Sequence, residues 1–327
     1  MIKHNSLKYC CKWCGTSSNS LEDFEEDWKS HTGFWCPNCD GFTYFSGCEV
    51  PQKYKLYLEE NLKSEPTIIQ KSIKLSKRLS PLRYPGGKSK LIPFIYDQMD
   101  RDKPVFVEPY CGGASVGLSL LNANVIDRLI LNDLDFGIYS LFYTILNDMN
   151  WLKEKILNSE LSRELYFRFR KQIKTNYNSL TIREAAYATL VVNRLAFSGI
   201  PKANPKGNLT ERWNPIELIK RIERINSKVE NIELYNLNAN EIIEEFYWNG
   251  KATLFIDPPY YVKGKDLYNL ALNDNQHKET AELLNHLTTA YPGCADIIIT
   301  YDNADFIKNL YPETIQHLLG RNFSIAN

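Results

Sequence analysis

The strongest chemical signal in this chain is the segment Asp257-Pro258-Pro259-Tyr260. It follows the apolar run Thr253-Leu254-Phe255-Ile256, so a carboxylate, two prolines and an aromatic ring end what reads as a buried strand. Two successive prolines cannot continue a hydrogen-bonded ladder. They hold the backbone rigid at the carboxyl end of the strand, where α/β sheets bind their ligands. The arrangement suits attack by a planar amine such as N6 of adenine, whose lone pair is delocalised into the ring and is a poor nucleophile. Hydrogen bonds from both amino protons, to the Asp257 carboxylate and the Pro258 carbonyl, favour a more tetrahedral nitrogen and stabilise the charge developing on it. Tyr260 supplies a face on which the base stacks, and a base inside a duplex must first be flipped out.

Two glycine-rich segments point to the second reactant. Val105-Phe106-Val107-Glu108-Pro109-Tyr110-Cys111-Gly112-Gly113-Ala114-Ser115 runs from an apolar strand through a tight turn into a helical pattern. Small residues there let a ligand approach the backbone closely. Asp133 follows Gly112 by 21 residues at the end of the next apolar run, and an acid about 20 residues on is where ribose hydroxyls are accepted in nucleotide folds. The turn lacks the full G-x-G-x-x-G spacing, which disfavours a nicotinamide dinucleotide. The other segment, Leu82-Arg83-Tyr84-Pro85-Gly86-Gly87-Lys88, is not a phosphate-binding loop of the G-x-x-x-x-G-K-[ST] type. It ends a stretch from Pro66 to Tyr96 that carries seven Lys and Arg residues and no acid.

Cys11-Lys12-Trp13-Cys14-Gly15 and Cys36-Pro37-Asn38-Cys39-Asp40-Gly41 form two C-x-x-C knuckles. Four soft thiolates, Cys11, Cys14, Cys36 and Cys39, suit tetrahedral zinc, and a closed four-thiolate shell predicts a structural rather than a catalytic ion. The surrounding aromatics, among them Trp13, Trp28, Phe34 and Trp35, build a small core with a face that can dock a protein partner.

These motifs need a scaffold, and the pattern around them supplies one. Short apolar runs predict strands over 105–108, 129–132, 232–236, 253–257 and 296–300, separated by helical periodicities such as 115–121 and 280–288. Between Trp151 and Lys228 the strands give way to helical patterns, including 182–195 and 216–227. The expected organisation is a zinc-ribbon-like unit at 1–50, a basic linker at 51–80, a catalytic α/β domain at 81–150 and 229–327, and a helical insertion at 151–228. Formal net charge is zero over 327 residues, so any polyanion site is a local patch and not a global field. No stretch approaches the ~20 apolar residues that span a bilayer, and Met1 to Tyr9 has no signal-peptide core. A cytoplasmic setting, in a prokaryotic cell or encoded by a phage, is expected, and there cysteines serve metals more often than disulfides.

From about residue 80 onward the chain resembles the Dam-type (D12 class) DNA adenine-N6 methyltransferases. The resemblance lies in 82–88, 106–115, 131–135, 193–199, 257–260 and 297–303, in the family's order. It implies a Rossmann-like methyltransferase sheet with a helical target-recognition insertion, S-adenosylmethionine as methyl donor and double-stranded DNA as substrate. It further implies that Tyr84, Gly86, Gly87 and Lys88 flank the cofactor, that Glu108, Pro109, Gly112 and Gly113 wrap its methionine part, and that Asp133 binds its ribose. Asp257, Pro258 and Tyr260 then hold the adenine, and Asp257 also belongs to the cofactor-binding set. Asn238 stands where the family has an acid after its third strand, and an amide there accepts a hydrogen bond from the cofactor's own adenine without a charge. The insertion carries the candidate DNA contacts Arg194, Lys202, Asn204, Lys206, Asn208 and Arg212. The family continues into one more strand beyond the position of Asn327. Methylation of cytosine N4 or of RNA adenine, and a catalytically idle DNA-binding scaffold, are the alternatives that residue types alone leave open.

Overall fold

The computed structural model describes residues 73–319 except 84–86, 197–198, 200–203, 206–208, 210–212, 263, 265–269, 313 and 318; of residues 1–72 it describes five short strands. The chain divides into two compact units, Met1–Ser72 and Ile73–Asn327. In the first, β1 (Tyr9–Cys10) pairs antiparallel with β2 (Ser17–Ser18), and β3 (Glu25–Glu26), β4 (Gly33–Trp35) and β5 (Phe42–Tyr44) form an antiparallel sheet. The four cysteines of the two knuckles lie outside the described residues.

In the second unit a short 3-10 turn (Lys88–Lys90) and α1 (Ile92–Gln98) precede β6 (Val105–Glu108). Then come α2 (Ser115–Asn122), β7 (Arg128–Asn132) and α3 (Phe136–Asn147). The helices α4 (Met149–Leu157), α5 (Arg163–Lys174), α6 (Ile182–Leu195) and α7 (Pro215–Asn226) follow, with no intervening strand of the sheet among the described residues. The chain returns to the sheet through β8 (Ile232–Tyr235), α8 (Ala239–Tyr247), β9 (Ala252–Ile256), α9 (Asp274–Ala290), β10 (Asp296–Ile299) and α10 (Asp305–Leu310). No helix among the described residues is long and apolar enough to cross a membrane.

The strand order is β10-β9-β6-β7-β8, and every pairing is parallel. β6 and β9 are buried throughout, as central strands covered on both faces must be. Alternate side chains go to opposite faces. Phe106, Leu129, Leu131 and Phe255 join the core shared with α1–α7, whereas Val105, Val107, Ile130, Leu254 and Ile256 pack against α8 and α9. The chain runs outward from β6 to β8 and then crosses back to β9 on the other side of β6. The order therefore reverses between β6 and β9, and a crevice opens at the carboxyl ends of strands at such a reversal.

All five sheet strands of this unit fall on the expected runs, shifted by at most one residue at an end, with 105–108 and the helix 182–195 matched residue for residue. The helix expected over 280–288 spans Asp274–Ala290. Its first turn is polar and invisible to apolar periodicity, and it is secured instead by a capping box of Asn273 and Gln276. Helix α6 begins with a capping box of Thr181 and Glu184 and buries residues on almost every side, as a helix surrounded by other helices does.

Close approach of α3 and the α5–α6 connection depends on Gly137. A Cβ there would stand 2.0 Å from the Tyr177 hydroxyl and 2.1 Å from Thr189 Oγ1. We expect Gly137→Ala to cost about 1–3 kcal/mol through overpacking and to lower the melting temperature by a few degrees. Calorimetry on the full chain checks this, and an unchanged transition would show that the helices separate freely.

Candidate active site

The crevice at the strand-order reversal holds a cavity of about 860 Å³ of non-atom space, a figure that includes open solvent, with which it is partly continuous. One wall is the turn after β6. Gly112 has φ 48° and Ala114 has φ 49°, and the turn is fastened to the next strand by the Cys111 amide donating to the Asn132 carbonyl at 2.8 Å. Asn132 is fully buried. Its amide donates to the Pro109 carbonyl at 2.8 Å and exchanges hydrogen bonds with the Leu237 backbone, tying together the chain just beyond β6, β7 and β8.

Three acids converge on this wall. Glu108, at the end of β6, is buried and accepts from the Gly117 amide at 2.7 Å; burial pushes its pKa up to about 8. A Cβ at Gly117 would lie 2.3 Å from Leu129 Cδ1, so a side chain there would force the buried Leu129 to shift. Asp133 accepts from the Gly112 amide at 2.8 Å and from the Asp135 amide at 2.9 Å. Burial, reinforced by the neighbouring Asp135 charge, pushes its pKa up to about 7. Asp135 caps α3 through the Gly137 amide and accepts the Tyr177 hydroxyl at 2.7 Å.

Asp257 faces this wall from the end of β9. Its Oδ1 receives the Lys88 ammonium, which is 3% exposed, and the Thr300 hydroxyl at 2.7 Å. The same ammonium lies 4.8 Å from the centroid of the Tyr260 ring. Gly87, Lys88, Glu108, Gly112, Gly113, Asp133 and Asp257 thus line one cavity, drawn from positions up to 170 residues apart. Pro109, Pro258 and Tyr260 adjoin it without lining it. Tyr84 and Gly86 lie outside the described residues.

Asn238 is not brought to the cavity. It is exposed and caps α8, accepting from the Asn240 amide at 2.9 Å in a box with Glu241. Of the candidate DNA contacts, Arg194 is half-buried near Arg83 and Arg221, and burial followed by those two positive neighbours lowers its pKa to about 10. Asn204 accepts from Arg170 at 2.7 Å. Lys202, Lys206, Asn208 and Arg212 lie outside the described residues. Ala196 and Pro205 pair as an isolated antiparallel bridge.

Several contributors escaped the sequence reading. Leu134, Leu270 and Leu272 give the cavity an apolar edge, and no periodicity marks them. Asn193 does carry a signal, a buried amide in an otherwise apolar helix. It accepts from the Arg83 amide at 2.8 Å and donates back to the Arg83 carbonyl at 3.1 Å. It thereby braces the segment leading to Lys88 against α6. Gly199, at φ +74°, lies so close to Arg83 that a Cβ would sit 1.9 Å from its carbonyl oxygen.

The donor set discriminates among ligands. Four carboxylates, Glu108, Asp133, Asp135 and Asp257, and one ammonium line the cavity. Such a site repels phosphates and suits a ligand that is cationic and rich in hydroxyl and amino donors. S-adenosylmethionine, with its sulfonium, ammonium and ribose, fits these residues.

Comparison with known proteins agrees with this geometry. The family described as D12 class N6 adenine-specific DNA methyltransferase matches residues 84–324. Type II methyltransferase M.MjaIII of Methanocaldococcus jannaschii is 21% identical over 253 residues, covering 70% of this chain and 86% of that protein. Type II methyltransferase M.CviBI of Paramecium bursaria Chlorella virus NC1A is 22% identical over 234 residues, covering 70% and 85%. The DNA N-6-adenine-methyltransferase of Escherichia phage P1 is 23% identical over 245 residues, covering 72% of this chain and 31% of that protein.

Proposed function

Because the chain belongs to the D12 class N6 adenine-specific DNA methyltransferases, we propose how its own residues divide the labour of transferring a methyl group from S-adenosylmethionine to adenine N6 in DNA. The observation that supports this division best is the meeting of Asp257 with the glycine turn and Asp133 in one cavity at the strand-order reversal. S-adenosylmethionine supplies an electrophilic methyl carbon and leaves as a neutral thioether. Asp133 accepts the ribose hydroxyls, the Glu108–Gly113 turn holds the amino-acid end, and Gly87 and Lys88, with Tyr84 and Gly86, serve to flank the cofactor. Asn238 belongs to the rim at most, since its side chain caps α8.

The target adenine, flipped from the duplex, enters beside Tyr260 and donates its two amino protons to Asp257 and the Pro258 carbonyl. Both acceptors stabilise positive charge as the N–C bond forms and the S–C bond breaks, and the excess proton then passes from nitrogen to solvent at the open side of the cavity. Prolines 258 and 259 keep the acceptors from turning away.

Outside the cavity, residues 151–228 form the recognition insertion. Arg168, Lys171 and Lys174 are exposed on α5, opposite the buried Tyr166, Phe169 and Ile173, and this stripe suits duplex phosphates. Arg194, Lys202, Asn204, Lys206, Asn208 and Arg212 address base edges. Transfer of labelled methyl from S-adenosylmethionine to unmethylated genomic DNA, with base analysis of the product, tests this reading. N6-methyladenine is expected; N4-methylcytosine, or label in RNA alone, would move the substrate.

The amino-terminal unit, residues 1–50, we assign as a zinc ribbon joined to the catalytic domain (81–150 and 229–327) by a basic linker at 51–80. Six residues separate β1 from β2 and six separate β4 from β5. In both intervals cysteines stand first and fourth: Cys11 and Cys14, then Cys36 and Cys39. Equal spacing between paired strand ends supports two matching knuckles around one structural zinc, and the aromatics around it supply a docking face for a protein partner. Metal analysis of the full chain should find one zinc per molecule. Chelation should unfold residues 1–50 while the catalytic domain keeps its thermal transition, whereas simultaneous loss of both would mean a shared core.

A further inference from the structure

Two side chains on the segment after β10 reach across to the chain after β9. Thr300 donates its hydroxyl to Asp257 Oδ1 at 2.7 Å, and its amide donates to the Ile256 carbonyl at 2.9 Å, extending the β9–β10 ladder by one bond. Asp302, two residues on and therefore on the same side of an extended chain, accepts the Tyr261 amide on Oδ1 at 3.0 Å and the Val262 amide on Oδ2 at 2.8 Å. The intervening Tyr301 faces the other way, its hydroxyl 2.9 Å from His277 Nδ1. His277 packs edge-on against Tyr261, which stacks on Phe306 with ring centroids 4.5 Å apart. The Asp-Pro-Pro-Tyr segment is thus gripped at both ends by one tripeptide, Thr300-Tyr301-Asp302.

The grip has a direction. Lys88 and Thr300 both address Oδ1 of Asp257, and among the described residues no donor reaches Oδ2. A carboxylate free to rotate about its Cβ–Cγ bond offers either oxygen to a substrate; one with Oδ1 engaged twice offers Oδ2, at one orientation. We propose that Thr300 and Asp302 are positioning residues for methyl transfer: Thr300, with Lys88, turns Oδ2 of Asp257 toward the target amine, and Asp302 sets the height of Tyr260 against the base. Neither side chain needs to touch the adenine or the methyl donor. Their effect belongs to the alignment of the bound state, where a misplacement of about 1 Å can cost 10²-fold in rate.

This proposal rests on the reading of Asp257 as the acceptor of the amine, and the experiment keeps the two apart. Thr300→Val, Thr300→Ser and Asp257→Ala are compared in the full chain for single-turnover methyl transfer, cofactor dissociation constant and KM for DNA. We expect Thr300→Val to lose about 10- to 100-fold in rate with cofactor affinity and KM within roughly twofold, and Thr300→Ser, which keeps the hydroxyl, to recover most of the rate. If Thr300→Val does not fold, Thr300→Ala is read in the same way. A Thr300→Val rate equal to wild type overturns the proposal, as does a Thr300→Ser loss as deep as that of valine. Cofactor affinity falling in step with the rate in the valine variant also overturns it, because the role is then merely structural. Full activity in Asp257→Ala overturns the reading of the site itself; inactivity there with an unaffected Thr300→Val removes only the positioning role.

Discussion

Asp257→Ala is expected to reduce methyl transfer by about 10²–10³-fold or more, the usual penalty for removing one preorganised partner of a developing charge, while cofactor binding changes little. The asymmetry follows from where the carboxylate stands. Asp257 lines the cavity from just beyond β9, and its bonds run to Lys88 and Thr300. The substitution also deprives the buried Lys88 of one carboxylate partner, so a fall in melting temperature should accompany the loss of activity. Pairing it with Lys88→Met separates the two effects: the double variant should regain stability and no activity. Calorimetry, isothermal titration and single-turnover transfer measured on the same samples decide this. Retained transfer in Asp257→Ala would remove the carboxylate from the reaction.

Cofactor affinity should strengthen with pH between 6 and 8, by about tenfold for each proton released per pH unit. The argument is one of sign. Burial pushes Asp133 up to about 7 and Glu108 up to about 8, so in the ligand-free protein both acids hold protons near neutrality. A cationic ligand that donates hydrogen bonds prefers the carboxylates and drives those protons off. Stability of the ligand-free fold runs the opposite way. The raised values favour the folded state most below the carboxylate range of the unfolded chain, about pH 4, and that advantage is lost as pH rises through 7 and 8. Melting temperature without cofactor should therefore fall from pH 5 to pH 8, and saturating cofactor should flatten the decline. Asp133→Asn should weaken binding by about 10- to 100-fold, the value of one or two charged hydrogen bonds, and remove one proton from the pH slope. An affinity that is flat or falls across this range would show that the acids do not face the ligand.

Much of this arrangement was legible in the chain, and the physical reasons are specific. Buried parallel strands read as uninterrupted apolar runs, so Val105–Glu108 and the run before Asp257 were visible without any knowledge of their partners. Rigid or permissive backbone leaves its mark in residue type: two prolines after Asp257, two glycines after Cys111. Capping boxes were harder to see. The first turn of Asp274–Ala290 is polar, and its hydrogen bonds, unlike apolar spacing, have no period.

Asn238 illustrates the limit. Its position after a strand qualified it as a ligand contact, yet the side chain is engaged with the Asn240 amide at a helix start. Either role uses the same amide at the same place in the sequence, and only the direction of the side chain separates them.

What the sequence determined by itself was the chemistry of each short segment, because strand, turn and proline rigidity are local properties. Tertiary structure alone decided which segments meet. Lys88 and Thr300 lie 169 and 43 residues from Asp257. Their segments were marked in the sequence, but their meeting at Asp257 was not: they converge because the buried sheet orders β9 between β6 and β10, and that order is a solution to burying apolar faces over the whole domain, which no local pattern encodes.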